Sequence, residues 1–133
     1  MTRAFLPDPV DPATISDLVD LAVRSPSAGK TQGWHLVTLH GAETDRFWRH
    51  AFPPDRRDGF RWPGLFAAPV IALPFADPHA YVARYAETDK AATGLGAGVE
   101  AWPTPYWTVD ASMAVMTLLL AAEDRGLGAL LFA

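Results

Sequence analysis

Apolar residues recur at helical spacing between positions 15 and 22, which predicts a helix as the first clear element of the chain. Asp11 suits the N-cap of this helix, because its carboxylate can accept a hydrogen bond from a free backbone amide. Pro12 suits the first helical position, and Pro26 ends the segment. The small and polar residues 25–33 that follow are predicted to form a loop, called here the 25–33 loop.

The next apolar segments predict two strands and two short helices. Residues 34–40 are rich in strand-forming side chains and lie between two glycines, so they predict a strand. The continuous apolar run 67–76 predicts a buried strand, in which Pro74 must lie at an end or an edge. Residues 44–52 and 80–88 are predicted to be helical.

The last third of the chain contains the strongest pattern. Residues 109–125 are apolar on nearly every side, which predicts a helix buried on most sides, with Asp110 as a capping residue. Gly126 suits the left-handed position that ends a helix, and residues 127–132 are predicted to form a last strand. The length of the chain and the absence of a long linker indicate one domain over residues 1–133.

Composition narrows the possible functions. The 133 residues carry 11 basic and 15 acidic side chains, a formal net charge of −4, and a negative surface repels nucleic acid. The absence of cysteine excludes disulfides and thiol nucleophiles, and the four histidines show no metal-ligand spacing on a helix, so we expect no metal site. The apolar run 111–122 is too short for a membrane span, so we expect no membrane partner and a cytoplasmic protein.

The common catalytic motifs are missing as well. Ser25 and Ser27 lack the flanking glycines of a nucleophile elbow, so no catalytic side chain is predicted. Residues 94–98 have the glycine spacing of a dinucleotide site but no strand before it, and they are predicted to be a loop. The aromatic residues 102–107 are consistent with either the wall of a substrate pocket or packing under the long helix.

The 25–33 loop is the clearest candidate for a binding surface. Its small residues would leave backbone amides exposed and leave room for a planar ligand. Lys30 and Gln32 add a cation and an amide, which match the carbonyl acceptors at the edge of a heteroaromatic ring. The alternative is an ordinary solvated turn.

The order of these segments resembles the FMN-dependent nitroreductase family, and the resemblance covers essentially the whole chain. It implies an α+β fold, a three-layer α/β sandwich with a mixed, mainly antiparallel sheet and a buried central helix. It also implies a homodimer with FMN at the subunit interface and NAD(P)H as the electron donor. The segments that carry the resemblance are Arg3-Ala-Phe-Leu-Pro-Asp-Pro-Val10, Ser25-Pro-Ser-Ala-Gly-Lys-Thr-Gln-Gly-Trp34, Ala68-Pro-Val-Ile71 and residues 110–128.

The resemblance also assigns cofactor-binding positions, and it implies that the chemistry takes place on the flavin rather than on a side chain. Arg3 would contact the flavin phosphate, since a guanidinium fork suits a dianion. The 25–33 loop of one subunit would serve the flavin that is held mainly by the other. The remaining positions assigned to the flavin are Pro26, Ser27, Ala28, Lys30, Gln32, Leu131 and Phe132.

This sequence departs from the family pattern in three ways. Lys30 stands where the family usually has asparagine, and only Met1 and Thr2 precede Arg3, where the family has further basic residues. The family also continues beyond the position of Ala133. We therefore expect the native start to lie upstream and the C-terminal part of the family fold to be missing.

Three functions are consistent with these features. The resemblance favours a reductase of nitroaromatics, quinones or similar electron-poor acceptors. The departures favour a catalytically inactive binding or dimerisation module that has lost FMN. A third possibility is a specialised branch of the same family, such as flavin-fragmenting or dehalogenating enzymes, because a shared fold does not fix the reaction.

Overall fold

The structure is a computed structural model that describes residues 1–132. Short 3₁₀ turns occupy several of the connections between its helices and strands. None of the helices in this part of the chain has the length and apolar character needed to cross a membrane. The helices are α1 (Pro12–Ala22), α2 (Ala42–Ala51), α3 (Pro78–Tyr85) and α4 (Tyr106–Asp124), and the strands are β1 (Trp34–His40) and β2 (Val70–Ala76).

Two of the helices begin at an Asp-Pro pair. Asp11 Oδ1 accepts a hydrogen bond from the Ala13 amide at 2.9 Å, which confirms the predicted start of α1. Asp77 caps α3 in the same way and accepts from the His79 amide at 3.0 Å. The predicted start of α3 at residue 80 is therefore too late, although Asp77-Pro78 carries the same signal as the first pair.

The two strands form an antiparallel pair in which Trp34 lies opposite Ala76 and His40 opposite Val70. Pro74 lies opposite Leu36 within this ladder. Because the sheet has two strands among the described residues, each strand is an edge, and an edge tolerates a residue without a backbone N–H. This position confirms the predicted edge location of Pro74.

Helix α4 packs against α1 and β2, but it is buried along one side only. Ala111, Ala114 and Ala122 form the buried side. Three apolar residues lie on the opposite side and are 40–59% exposed. In a single copy, the predicted burial is therefore found on one side of the helix and not on most sides. The opposite side is called here the apolar stripe and consists of Val109, Met116 and Leu120.

The segment after α4 differs from the prediction. Gly126 has φ +73° and ends the helix as predicted, with the Leu127 amide donating to the Ala122 carbonyl at 2.9 Å. The predicted last strand over residues 127–132 is wrong, because the structure has no strand there. The Thr2 amide donates to the Ala129 carbonyl at 3.0 Å, but one such bond does not make a ladder.

The aromatic residues 102–107 belong to a packed cluster rather than to an open wall. Trp102 is 8% exposed, and its indole N–H donates to the Leu95 carbonyl at 2.9 Å. The rings of Tyr81 and Tyr85 pack edge-on against it, at centroid distances of 5.8 and 4.7 Å. The cluster therefore serves as a small core between α3 and the start of α4.

Candidate functional site

The 25–33 loop is a tight turn that places three residues in the left-handed region. The φ angles are +64° at Gly29, +55° at Lys30 and +49° at Gln32. This conformation costs an L-residue about 1–2 kcal/mol, so Lys30 and Gln32 are held there by the contacts of the loop. Asparagine adopts left-handed φ more readily than lysine, which gives a physical reason for the asparagine that the resemblance implies at this position.

Most backbone amides of the loop donate hydrogen bonds within the chain. The Lys30 amide donates to the Ser27 carbonyl at 3.0 Å, and the Thr31 amide to the Ala28 carbonyl at 3.2 Å. The Gln32 amide donates to Ser27 Oγ at 3.0 Å. The expectation of outward-pointing amides is therefore wrong at these positions, which leaves fewer backbone donors for a ligand on this surface.

The outer face of the loop carries exposed side chains, and they differ in whether their polar groups are free to contact a ligand. Pro26, Lys30 and Gln32 are all exposed. The Gln32 carboxamide donates to the Val23 carbonyl at the end of α1, so its N–H₂ group is already engaged. The Lys30 ammonium forms no hydrogen bond or ion pair with residues 1–132. Lys30 is therefore the stronger of the two predicted ring-edge contacts.

A buried carboxylate holds the inner side of the loop. Asp110 is 3% exposed, and its Oδ2 accepts one hydrogen bond from the Ala28 amide at 2.7 Å and another from the Tyr81 hydroxyl at 2.7 Å. The expectation that Asp110 caps a helix is wrong, because α4 begins at Tyr106 and Asp110 lies in its second turn. Sequence reasoning missed this role, although a lone carboxylate in an apolar helix is a signal of a buried polar contact.

Helix α3 supports the same loop through Arg84. Its Nε donates to the Gly29 carbonyl at 3.0 Å, and its guanidinium pairs with both oxygens of Asp89 at 2.8 Å. The hydrogen bond with Asp89 raises the pKa of Arg84 and lowers that of Asp89. A Cβ at Gly29 would lie 2.8 Å from the Tyr85 ring, so both the space and the positive φ favour glycine there.

The buried hydroxyl of Tyr81 makes the stability of the chain sensitive to alkaline pH. Burial is the largest cause that raises the pKa of Tyr81 above its usual 10.0, and the hydrogen bond to Asp110 adds to it. Above pH 10 the unfolded chain releases this proton while the folded chain retains it. The contribution of Tyr81 to the free energy of unfolding is therefore fully present below pH 10 and is lost as the pH rises further. We expect the free energy of unfolding to fall by up to about 1.4 kcal/mol per pH unit.

Urea unfolding at pH 9 and pH 11 measures this effect. Tyr81→Phe is the matched variant, because it keeps the ring and removes the ionisable hydroxyl. We expect the loss of stability between the two pH values to be clearly smaller in the variant. An equal loss in both proteins would show that Tyr81 is not responsible.

The other predicted cofactor residues lie at a different end of the molecule. The Arg3 side chain is exposed, with its guanidinium carbon 5.1 Å from the centroid of the Trp62 ring. Phe132 stacks on Trp48 at 5.5 Å and remains 47% exposed, while Leu131 is 57% exposed. The backbone bond between residues 2 and 129 brings the two chain segments together. Arg3, Leu131 and Phe132 therefore share one end of the fold.

An apolar cavity of about 770 Å³ lies beside this second group. Its walls come from the N-terminal segment, α1, α4, the face of β2 and the segment after α4. Leu131 and Phe132 line it, whereas Arg3 and the 25–33 loop do not. The cavity is thus separate from the loop surface around Lys30.

The two groups of predicted residues are far apart in a single copy. The loop starts beside Thr117, whose Oγ1 lies 2.7 Å from Ser25 Oγ, and its middle is bound at Asp110 through the Ala28 amide. The segment that leads to Leu131 and Phe132 is bound at Ala122, twelve residues of helix or roughly 18 Å along α4 from Asp110. One copy therefore brings together the loop residues, and separately Arg3 with the C-terminal pair, but it does not join the two groups.

Comparison with known proteins identifies related sequences. The family model described as "Nitroreductase family" matches residues 1–132. A curated relative, 5,6-dimethylbenzimidazole synthase of Rhodospirillum rubrum, is 31% identical over an alignment of 140 positions that covers 95% of this chain. The chain spans 61% of the length of that relative.

Solved structures show the same fold at low identity. A nitroreductase family protein from Streptococcus pneumoniae TIGR4 gives a TM-score of 0.67 with 20% identity, covering 94% of this chain and 68% of the other. A nitroreductase-like protein from Streptococcus mutans gives 0.67 with 21% identity, covering 93% and 66%. CLA-ER, an enone reductase of gut-bacterial fatty acid saturation metabolism, gives 0.66 with 20% identity, covering 93% and 66%.

Proposed function

Because the chain belongs to the nitroreductase family, we propose that it is an FMN-dependent oxidoreductase that uses NAD(P)H to reduce nitroaromatic, quinone or similar electron-poor acceptors. The observation that carries this proposal is the separation of two exposed groups of candidate residues at opposite ends of α4. A homodimer supplies what one copy lacks, because a twofold axis can place the loop of one subunit beside Arg3 of the other. The exposed apolar stripe on α4 offers a surface for that contact.

The side chains present fit FMN in kind. Arg3 offers a guanidinium for the phosphate, and Lys30 offers an ammonium for the pyrimidine edge of the ring. Pro26 and the half-buried Ala28 leave a low surface on which a flat ring can lie. Because the amides of Lys30, Thr31 and Gln32 are engaged within the chain, the Lys30 side chain would carry more of the recognition than the sequence alone predicts.

The redox chemistry, acceptance of a hydride from NAD(P)H and transfer of two electrons to the acceptor, is supplied by the bound FMN. The chain itself would bind and orient the cofactor. Arg3 would hold the phosphate, and Lys30 would supply a positive charge that stabilises the negative charge of the reduced ring. Leu131 and Phe132 would cover the ring from the other side and exclude water.

The proposal is tested by loading the purified chain with FMN and measuring NAD(P)H oxidation with a nitroaromatic or quinone acceptor. We expect a yellow dimeric protein that retains flavin through size-exclusion chromatography and oxidises NAD(P)H only when an acceptor is present. A colourless dimer without turnover would contradict it and would instead identify a dimerisation module without cofactor.

Lys30→Ala is expected to weaken FMN binding by about tenfold, since one charge-assisted contact on a flexible stem is lost. Flavin fluorescence titration measures the dissociation constant. Arg46→Ala, which removes an exposed cation on α2, is the matched control and should bind FMN like the original chain. Equal affinity in all three proteins would show that Lys30 does not contact the flavin.

A second candidate reaction is favoured by the 31% identity with 5,6-dimethylbenzimidazole synthase. Under that alternative the flavin is itself converted to a benzimidazole rather than recycled. Incubation of the protein with reduced FMN under oxygen, followed by mass spectrometry, separates the two reactions. Formation of 5,6-dimethylbenzimidazole supports the second, and recovery of intact FMN supports the reductase.

A further inference from the structure

One oxygen atom joins three parts of the fold behind the 25–33 loop. Asp110 Oδ2, on α4, accepts from the Ala28 amide of the loop and from the Tyr81 hydroxyl of α3, both at 2.7 Å. Asp110 is 3% exposed and Tyr81 is fully buried. Hydrogen bonds to a carboxylate are stronger than neutral ones, and low surrounding polarity strengthens them further.

The hydrogen bond from the Ala28 amide to Asp110 holds the residue whose carbonyl accepts the hydrogen bonds of the turn. The Ala28 carbonyl accepts from the Thr31 amide at 3.2 Å and from the Thr31 hydroxyl at 2.6 Å. Between these residues the chain passes through the left-handed conformations of Gly29 and Lys30. Fixing Ala28 from inside the molecule therefore fixes the direction in which Lys30 leaves the loop.

The other supports of the loop are more exposed to solvent. Arg84 donates to the Gly29 carbonyl, but it also pairs with Glu87 and Asp89 at the surface. Gln32 reaches the Val23 carbonyl from an exposed position. Asp110 itself is 3% exposed, whereas the Arg84 side chain is 24% exposed and Gln32 is exposed, so water has less access to Asp110 than to either of these residues.

We propose that Asp110 is a positioning residue for cofactor binding: with Tyr81, it holds the left-handed turn that presents Lys30 to the flavin. The inference rests on the proposed FMN function. Asp110 acts through the loop and touches neither cofactor nor substrate. Removal of the Asp110 carboxylate should therefore destabilise the 25–33 loop more than the remainder of the fold.

The test compares Asp110→Ala and Asp110→Asn with the original chain. Amide hydrogen exchange measures protection at Ala28 and Thr31, with the α1 amides as an internal reference for global stability. We expect Asp110→Ala to reduce protection in the loop by at least about tenfold more than in α1, and to weaken FMN binding by about tenfold or more. Asp110→Asn keeps an acceptor oxygen and should recover part of both losses, and it serves as the folded variant if the alanine protein does not fold.

Asp124→Asn is the matched control, because it removes an exposed carboxylate from the same helix and should leave both measurements unchanged. Loop protection and FMN affinity within twofold of the original chain in both Asp110 variants would overturn the inference. An equal loss of protection in the loop and in α1 would overturn it as well, since it would reveal a general stabilising role. If the original chain binds no FMN, the proposed function fails, and unchanged loop protection would then refute the positioning role separately.

Discussion

Arg3→Ala is expected to weaken FMN binding by about 10- to 100-fold. A guanidinium binds a phosphate through two parallel charge-assisted hydrogen bonds, and their loss leaves a dianion without a partner at that position. The exposed Arg3 side chain has no carboxylate within ion-pair distance among residues 1–132, so it is available for this contact. Fluorescence titration with FMN, and with riboflavin as the ligand that lacks the phosphate, measures the effect.

The riboflavin titration assigns the role of Arg3. Arg3→Ala should reduce the affinity for FMN and leave the weaker affinity for riboflavin unchanged. Arg56→Ala, which removes an exposed cation from the segment between α2 and β2, is the control and should bind both ligands normally. An equal loss for FMN and riboflavin in Arg3→Ala would contradict a phosphate contact.

Leu120→Glu is expected to raise the dissociation constant of the proposed dimer more than about 100-fold. We expect FMN retention to be lost with the dimer. Leu120 is 59% exposed in a single copy and lies on the apolar stripe, so a carboxylate is tolerated in the monomer. In the dimer the same carboxylate would lose its water without gaining a partner, which costs several kcal/mol. Sedimentation analysis measures association, and thermal unfolding shows whether the monomer remains folded.

The control for this variant is Val37→Glu on β1, where the replaced side chain is 45% exposed but lies away from the stripe. It should associate and bind FMN like the original chain. A Leu120→Glu protein that remains dimeric would show that α4 does not form the interface. A monomer that still binds FMN tightly would show that one copy contains the whole site.

Much of the fold follows from local sequence signals. Asp11-Pro12 and Gly126 act through the backbone of their own turn, so their effects can be predicted without knowledge of distant residues. The strand position of Pro74 follows for the same reason, since a residue without an N–H must lie at an edge. The predicted last strand failed because a strand requires a partner, and the partner is not encoded within residues 127–132.

The candidate site was predictable only in part. Lys30 could be assigned from its place in the motif, but its left-handed φ and the engaged loop amides depend on contacts with other elements. The hydrogen bond between Ala28 and Asp110 joins residues 82 positions apart, and no local sequence pattern predicts it. The burial of α4 was overestimated for a related reason: an apolar helix face predicts burial without telling whether the covering surface belongs to the same chain.

The central claim is that each FMN site combines Arg3 of one subunit with the 25–33 loop of its partner. Co-expression of Arg3→Ala and Lys30→Ala chains tests it directly, at an FMN concentration that neither variant alone binds. In a shared site, each mixed dimer contains one intact site and one doubly substituted site, so random pairing should restore about a quarter of the original binding capacity. Binding no greater than that of the separate variants would contradict the account.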